Sequence, residues 1–304
     1  MKGMVMRSTG LWYEVVTEGQ QHYSCRVKGK LRLDGSKETN PIAVGDWVAF
    51  EQEGENGVIT GILPRKNHML RQSVKKTGHS QVLAANIDQV LLLATLKQPR
   101  TSLGFIDRFL VSAESFRIPQ VLIFNKTDIL TSEEWEDQKS LLRLYNRLGV
   151  QTLPLSATND NLSFLDEILK NKVTLLAGHS GVGKSTLLNR LSPEILQTVG
   201  EISDFSDKGI HTTTFAEMFP LAENTFIIDT PGVKEWGLVD MDQQEISDYF
   251  PEMRELRLNC KFGSRCLHLQ EPKCAILFAV HQGEIAQSRY ESYLSMVMGG
   301  DNRK

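Results

Sequence analysis

The chain has 304 residues, which is too many for one ordinary core and suits two or three domains. Hydrophobic residues make up 40% and charged residues 23%, a balance that is typical of folded globular proteins and excludes a disordered one. No apolar run approaches the roughly 20 residues of a membrane helix, and the first residues lack a signal-peptide stretch, so we predict a cytoplasmic protein. The net charge of −3 excludes a surface that is basic all over but allows local basic faces.

The first 66 residues predict an all-β barrel, because glycines separate short apolar runs such as residues 12–16 and 46–50. In one segment basic residues occupy every second position, namely Arg26, Lys28, Lys30 and Arg32. A strand would place all four on one face. This face is either an ordinary solvated surface or the phosphate-binding face of a nucleic-acid-binding barrel, so the four residues are candidate RNA contacts.

Three further regions follow the barrel. Residues 67–82 are basic and lack apolar periodicity, which predicts a linker. Residues 83–239 alternate apolar runs with helical segments, which predicts a largely parallel α/β sheet. The six predicted strands are residues 89–96, 120–124, 151–155, 173–177, 215–219 and 225–228, separated by helices that include 106–115, 133–148 and 184–191. Residues 240–304 are expected to be mainly helical.

A phosphate loop occupies residues 178–185, where a glycine is followed after four residues by Gly-Lys-Ser. An apolar strand precedes it and a helix follows, so backbone N–H groups can surround an anion at a helix N-terminus. Lys184 would reach the β- and γ-phosphates, and Ser185 would bind Mg²⁺. The nucleotide-binding candidates here are Gly178, His179, Ser180, Gly181, Val182, Gly183, Lys184, Ser185 and Thr186.

Residues 125–128, Asn-Lys-Thr-Asp, predict that the nucleotide is GTP. The Asp128 carboxylate can accept from both N1–H and the 2-amino group of guanine, whereas adenine would leave that charge unpaired. Asn125 can brace the loop and touch the purine, and the Lys126 stem can lie along the ring. The turn at Ser156 and Ala157 would bring the Ala157 N–H to the guanine O6.

The γ-phosphate and Mg²⁺ are expected at two further loops. Asp229 follows an apolar strand and suits a position near Mg²⁺, while the N–H of Gly232 suits the γ-phosphate. Among the adjacent threonines 212–214, Thr213 is the preferred Mg²⁺ ligand and Thr212 the next choice. A valine, residue 233, stands where many GTPases have a water-orienting glutamine, so intrinsic turnover should be slow. The missing group would come from His211, from a backbone group or from the partner.

A metal centre is predicted at Cys260, Cys266, His268 and Cys274. Three thiolates and one imidazole complete the tetrahedral shell of one structural Zn²⁺ and leave no position open for catalysis. In a reducing compartment such a cluster favours a metal over disulfides.

The base-reading tetrad precedes the phosphate loop along this chain, whereas it follows the loop in an ordinary GTPase. A circular permutation, with the old termini joined through residues 162–172, would keep the strands in their usual places. The loop after Asp229 then leads directly into the C-terminal region, which predicts a mechanical link through residues 233–237.

With these motifs the chain resembles the circularly permuted RsgA GTPases, which depend on the small ribosomal subunit. The resemblance covers nearly the whole chain and includes the N-terminal residues 44–48, the permuted boxes, the loop 211–214 and the Cys/His cluster. It implies an OB barrel (1–66), a permuted GTPase domain (83–239) and a zinc-binding helical domain (240–304). It also implies late maturation of that subunit, contact with its rRNA, and subunit-stimulated hydrolysis. The family usually has one residue fewer between its first two cysteines, so Cys260 departs from its pattern.

Two other functions compete with this assignment. One is an RNA-binding zinc protein in which GTP is only a structural ligand; the intact phosphate loop, threonine loop and Asp229 argue against it. The other is a signalling or transport GTPase, which the lack of a lipid or membrane segment disfavours. We predict a monomer that binds either GTP, together with Mg²⁺, or GDP.

Overall fold

The structure is a computed structural model that describes residues 1–27, 42–72, 80–192, 216–230, 238 and 241–299. Its N-terminal part is a barrel of five strands. These are β1 (Lys2–Ser8), β2 (Tyr13–Val16), β3 (His22–Val27), β4 (Trp47–Glu53) and β5 (Asn56–Ile62). They pair in the order β1-β2-β3-β5-β4, and β4 pairs back onto β1, so the barrel closes. Only β3 and β5 are parallel among these pairs. The order and the closure are those of an OB-type barrel, as predicted.

The barrel interior follows the alternation of its strands, because every second side chain of a strand points to the same side. The residues packed there are Val5, Tyr13, Val15, Cys25, Ile42, Val48, Phe50 and Ile59. Gly57 lies against this core, and a Cβ at its position would come within 2.4 Å of the Cys25 Sγ. A glycine therefore lets β3 and β5 approach closely.

In the described parts of the segment predicted to be a linker, residues 68–72 and 80–82 form strands. Strands β6 (His68–Gln72) and β7 (Ser80–Ala85) pair as an antiparallel ribbon. Polar and basic residues dominate the composition of this segment, so its few apolar side chains show no periodicity, but Met69 and Val82 are buried. The Met69 side chain belongs to the core of the following α/β domain. Burial of these side chains, rather than periodicity, accounts for the ribbon.

The α/β part contains β8 (Gln89–Ala94), β9 (Gln120–Phe124), β10 (Gln151–Pro154), β11 (Val173–Ala177), β12 (Glu217–Ala222) and β13 (Thr225–Asp229). Their order is β10-β9-β8-β11-β13-β12. The first five strands are parallel, as predicted. β12 runs antiparallel to β13 because only a two-residue turn, residues 223–224, joins them. The free edge of β12 pairs with β1 at Arg7 and Glu217, so barrel and α/β domain share one sheet.

Helices cover both faces of this sheet. These are α1 (Leu103–Ser115), α2 (Ser132–Arg147), α3 (Ser163–Leu169) and α4 (Lys184–Leu191). Three further helices, α5 (Pro251–Arg254), α6 (Ala275–His281) and α7 (Gln287–Val297), lie in the C-terminal part. Short 3₁₀ turns span Thr127–Ile129, Ile246–Tyr249, Leu256–Asn259 and Gly263–Arg265. Val90 and Leu92 of β8 pack with Phe109 of α1, while Leu91 and Leu93 pack on the other face with α3 and α4. Neighbouring residues of one strand are thus buried on opposite faces, which is why the parallel strands read as continuous apolar runs.

None of the helices in the described part of the chain has the length and apolar character needed to cross a membrane. The C-terminal part, from residue 241, is built from α5, α6, α7 and three 3₁₀ turns, which agrees with the predicted helical region. Its core contains Ile246, Phe250, Met253 and Tyr293, and Val111 of α1 packs into it.

A buried ion pair lies where the barrel meets the β6–β7 ribbon, between Asp46, just before β4, and Arg65, in the connection between β5 and β6. The Arg65 guanidinium donates to both oxygens of Asp46, at 2.7 and 2.8 Å, and the Asp46 side chain is fully buried. The N–H of Ala43 donates to the same carboxylate at 2.8 Å. Gly45 is held in the left-handed region at φ 89°, and a Cβ there would lie 2.2 Å from the Ala85 carbonyl. The junction is therefore closely packed.

We predict that Arg65→Met lowers the free energy of unfolding by about 3–5 kcal/mol, because it leaves the Asp46 carboxylate buried without its cation. The matched control is Arg26→Met. Arg26 also lies 2.7 Å from a carboxylate, that of Glu53, but both side chains are more than half exposed, so the loss should stay within about 1 kcal/mol. Urea unfolding of the two variants measures the difference, and equal losses would contradict the burial argument.

Candidate nucleotide site and metal centre

The phosphate-loop residues connect the end of β11 to the start of α4. Three glycines adopt positive φ, 148° at Gly178, 83° at Gly181 and 104° at Gly183. A Cβ at Gly178 would lie 2.4 Å from the Leu93 carbonyl, and one at Gly183 would lie 2.4 Å from the Asn125 amide nitrogen. The glycines are therefore required by close neighbours as well as by backbone conformation.

Lys184 lies inside this loop, and its side chain is buried. Its Nζ donates to the carbonyls of Gly178 at 2.9 Å and His179 at 3.1 Å. Burial lowers the pKa of Lys184, and the nearby Asp229 opposes this shift. Around it, Val182 is buried, Thr186 is half-buried, and Ser180 and Ser185 are exposed. The loop thus presents a buried ammonium with an exposed hydroxyl next to it at a helix N-terminus.

Asp229, at the end of β13, is half-buried near Lys184, and its Oδ1 atom is buried. Burial raises the pKa of Asp229 to about 6, Lys184 lowers it, and Glu217 on the neighbouring strand raises it further. Its Oδ1 has no hydrogen-bond partner among the described residues. Thr230, the next residue, donates to the Leu176 carbonyl at 2.9 Å and ties the end of β13 to β11. A buried carboxylate oxygen without a donor is a natural place for a cation.

Asn125 connects the phosphate loop with the turn at Ser156 and Ala157. Its side-chain amide donates to the Val182 carbonyl at 2.8 Å, and its Oδ1 accepts from the Ala157 N–H at 2.8 Å. Asn125 is only 2% exposed, so these bonds are shielded from water. The bracing predicted for Asn125 is present. The Ala157 N–H, which the sequence assigned to the guanine O6, is also engaged by Asn125, so O6 would have to share this donor.

Asp128 and Ser156 come together although 28 residues separate them. The Ser156 hydroxyl donates to the Asp128 Oδ1 at 2.6 Å, and the Ser156 N–H donates to Asp160 at 2.6 Å. Asp128 is exposed, which leaves its carboxylate accessible to a ligand. Arg190 of α4 donates to the Ala157 carbonyl at 2.9 Å and fixes the same turn.

The loop between β8 and α1 also contributes to the site, although no sequence motif marks it. Lys126 has φ 64°, and its Nζ donates to the Gln98 carbonyl. Pro99 lies 3.4 Å from the position of a Cβ at Gly181. This loop therefore contacts both the tetrad and the phosphate loop. The available signal was its position after a parallel strand, since ligands of such sheets bind at the carboxyl ends of the strands.

Several predicted residues lie outside the described part of the chain. They are His211, Thr212, Thr213, Thr214 and Gly232 of the nucleotide site, residues 233–237, and Lys28, Lys30 and Arg32 of the barrel. Arg26 is described, and its guanidinium pairs with Glu53 on the exposed surface.

The structure brings the four predicted metal ligands together in the C-terminal part. The ligand atoms of Cys260, Cys266, His268 and Cys274 all lie within 4.8 Å of one another, and all four residues are buried. The Cys260 Sγ is 3.8 Å from the Cys274 Sγ and 3.5 Å from the His268 Nδ1. The 3₁₀ turn at Gly263–Arg265 takes up the longer spacing, so Cys260 joins the cluster despite it.

Hydrogen bonds around the cluster orient its histidine. The His268 Nε2 lies 3.3 Å from the Ser247 hydroxyl, which leaves Nδ1 facing the sulfurs. Tyr290 donates to the His268 carbonyl at 2.8 Å. Burial lowers the pKa of His268 to about 4 and raises the pKa of Cys274 well above the usual thiol range. The imidazole is therefore neutral near pH 7 and able to bind a metal, and a metal must displace the thiol protons.

Two family models match the chain. The RsgA GTPase model matches residues 62–239, and the RsgA N-terminal domain model matches residues 2–59. This chain belongs to the RsgA GTPase family. The predicted family and enzyme class, a GTPase, are thereby confirmed.

Relatives and solved structures of the RsgA family cover nearly the whole chain. "Small ribosomal subunit biogenesis GTPase RsgA" of Christiangramia forsetii is 48% identical over 307 residues, covering 99% of this chain and 97% of that protein. The protein of the same name from Bacteroides fragilis is 47% identical, covering 98% and 96%. The crystal structure of YjeQ from Thermotoga maritima has a TM-score of 0.76 at 33% identity, covering 100% of this chain and 99% of that one. The crystal structure of YloQ, described as a circularly permuted GTPase, has a TM-score of 0.73 at 29% identity, covering 100% of this chain and 96% of that one. The predicted permuted fold is confirmed.

We predict that Cys260→Ser abolishes stoichiometric metal binding, because it removes one of four converging ligands. Cys25→Ser is the matched control, since Cys25 is equally buried but lies in the barrel core. Metal content measured by mass spectrometry should fall only in the first variant, and the C-terminal part should then lose protection from proteolysis. Full metal content in Cys260→Ser would show that Cys260 is not a ligand.

Proposed function

We propose that this chain hydrolyses GTP as an assembly factor for the small ribosomal subunit. The observation that carries the proposal is the convergence of four elements at one sheet edge: the phosphate loop, Asp229, the tetrad with Asp128, and the turn at Ser156. The names of the RsgA relatives, which state small-subunit biogenesis, support the ribosomal role. Late maturation and stimulation of hydrolysis by the subunit belong to the same proposal.

At the phosphate end, residues 178–186 would surround the phosphates, and Lys184, oriented by the loop carbonyls, would reach the β- and γ-phosphates. Ser185 and Asp229 would hold Mg²⁺ together with Thr213. The unpartnered Oδ1 of Asp229 fits this assignment, since a metal or a metal-bound water would satisfy it. The metal would supply charge neutralisation between the β- and γ-phosphates.

At the base end, the Asp128 carboxylate would accept from N1–H and the 2-amino group of guanine. The Ser156 hydroxyl already fixes Oδ1 of that carboxylate, so the acceptor pair is oriented before the base arrives. Lys126 would lie along the ring. Asn125 would hold this turn against the phosphate loop through its two hydrogen bonds.

For hydrolysis, a water must attack the γ-phosphorus opposite the bridging oxygen that leaves with GDP. We propose that the Gly232 N–H binds the γ-phosphate and that His211 orients the water, with a backbone group or the subunit as the alternatives. Because residue 233 is a valine, turnover without the subunit would be slow.

The metal of the Cys/His cluster is proposed to be one structural Zn²⁺. Tetrahedral Zn²⁺ with Zn–S bonds of about 2.3 Å requires sulfurs about 3.8 Å apart, and the Cys260 and Cys274 sulfurs lie 3.8 Å apart. Four ligands close the shell, so the zinc would hold the C-terminal domain (240–304) together.

The remaining assignments concern the setting of the enzyme. We propose a cytoplasmic monomer with domains at 1–66, 83–239 and 240–304, in which the OB barrel contacts rRNA through Arg26, Lys28, Lys30 and Arg32. Residues 67–82 connect the barrel to the GTPase domain.

Guanine specificity gives the first test. Asp128→Asn should weaken GTP binding about 100-fold, since hydrogen bonds to a charged partner contribute about 1.5–3 kcal/mol each. Xanthosine triphosphate should bind better than GTP, because its C2 carbonyl can accept from the new amide. Glu133→Gln, an exposed change on α2, is the control. Unchanged GTP affinity in Asp128→Asn, measured with fluorescent analogues, would show that another group reads the base.

Subunit dependence gives the second test. Purified small subunits should raise the GTP turnover of the full chain by an order of magnitude or more, as a supplied transition-state group does in other GTPases. Co-sedimentation should be stronger with a non-hydrolysable GTP analogue than with GDP. GTP binding without stimulated turnover would favour GTP as a structural ligand.

A further inference from the structure

Helix α1 contacts the phosphate loop at its first turn. The ring of Phe105 lies against the imidazole of His179, with centroids 3.9 Å apart. Phe105 is nearly buried, and its N–H donates to the Ser102 hydroxyl at 3.2 Å. The carbonyl of His179 is one of the two groups that hold the Lys184 ammonium. The position of α1 therefore affects the position of Lys184.

The same helix holds the C-terminal domain through a buried ion pair. Arg289 of α7 is 2% exposed, and it donates to Asp107 of α1 at 2.5 Å. It also donates to both oxygens of Glu252, at 2.7 and 3.2 Å, and lies 4.5 Å above the ring of Phe250. Tyr145 donates to the same Asp107 oxygen at 2.7 Å. One guanidinium thus compensates the buried Asp107 carboxylate and the Glu252 carboxylate, whose side chain is 9% exposed, so its loss would leave both without a cation.

Phe105 and Asp107 are two residues apart, which places them on different sides of the helix, about 200° apart around its axis. One side meets the phosphate loop and the other meets the C-terminal domain. We propose that Arg289 is a positioning residue for the phosphate loop. It fixes α1 through Asp107, and α1 fixes His179 and the carbonyl that orients Lys184. This inference rests on the proposed nucleotide site.

The consequence is a thermodynamic link between the C-terminal domain and the nucleotide. Any partner that shifts the domain on α1 changes nucleotide affinity, and the nucleotide changes partner affinity by the same factor. This route differs from the link that the sequence predicted through residues 233–237, which lie outside the described residues.

The test is a double-mutant cycle on the full chain, with the affinity of a fluorescent non-hydrolysable GTP analogue as the readout. Arg289→Met and Phe105→Leu should each weaken binding on the order of 10-fold, within the usual range of allosteric coupling. The double variant should be no weaker than the weaker single variant, because both act through α1. If the two sites acted independently, the fold-changes in affinity of the two single variants would multiply in the double variant.

Arg254→Gln is the matched control. Arg254 also joins the C-terminal domain to α1, 2.5 Å from Glu114, but near the end of the helix that is remote from the phosphate loop and at a partly exposed site. As a single variant, Arg254→Gln should leave nucleotide affinity unchanged. Combined with Phe105→Leu, it should add nothing to the loss that Phe105→Leu causes. Unchanged affinity in folded Arg289→Met, or multiplied effects in the double variant, would overturn the proposal.

Hydrogen exchange of the wild-type chain keeps the proposal testable if Arg289→Met does not fold. Binding of the analogue should slow hydrogen exchange in α7, which contacts α1, more than in α3. Helix α3 packs on the face of the sheet opposite to α1. Equal slowing would overturn the link. Loss of binding in Lys184→Ala tests the nucleotide site itself, so failure of the site and failure of the link are distinguishable.

Discussion

The parallel sheet of the GTPase domain is the constraint on which the rest of the site depends. Its central strands are buried on both faces, as Val90 and Leu91 of β8 show, and their backbone groups pair with one another. Polar chemistry is therefore excluded from the faces and concentrated where the strands end. Lys184, Asp229 and Asn125 all lie at or just beyond strand ends at one edge, so a permuted chain builds the same site as long as the strand order is kept.

At this edge of the sheet, a small number of buried hydrogen bonds holds the loops of the site in place. Asn125 holds two loops with two hydrogen bonds at 2.8 Å, and Lys184 is held by two carbonyls. Such bonds are strong because water does not compete for the groups. The Oδ1 of Asp229, in contrast, has no hydrogen-bond donor among the described residues, and a bound cation would satisfy it.

Buried charges also define how the three parts of the chain meet. The Asp46–Arg65 pair lies between the barrel and the ribbon, and Arg289 lies between α1 and the C-terminal domain. An ion pair that is cut off from water is costly to break from one side. These contacts therefore fix how the parts of the chain are oriented relative to one another. The exposed pair of Arg26 and Glu53 contributes little to stability or orientation.

The sequence by itself determined the elements that depend on local patterns: the phosphate loop, the tetrad, the six strands of the α/β domain and the order that revealed the permutation. It also supplied the four candidate metal ligands, because residue type and spacing limit that chemistry. Only the tertiary structure decided that β6 and β7 pair, that Asn125 occupies the Ala157 N–H, and that Phe105, Asp107 and Arg289 join the C-terminal domain to the phosphate loop. These contacts connect residues up to 182 positions apart, and their energy comes from burial, which no local pattern encodes.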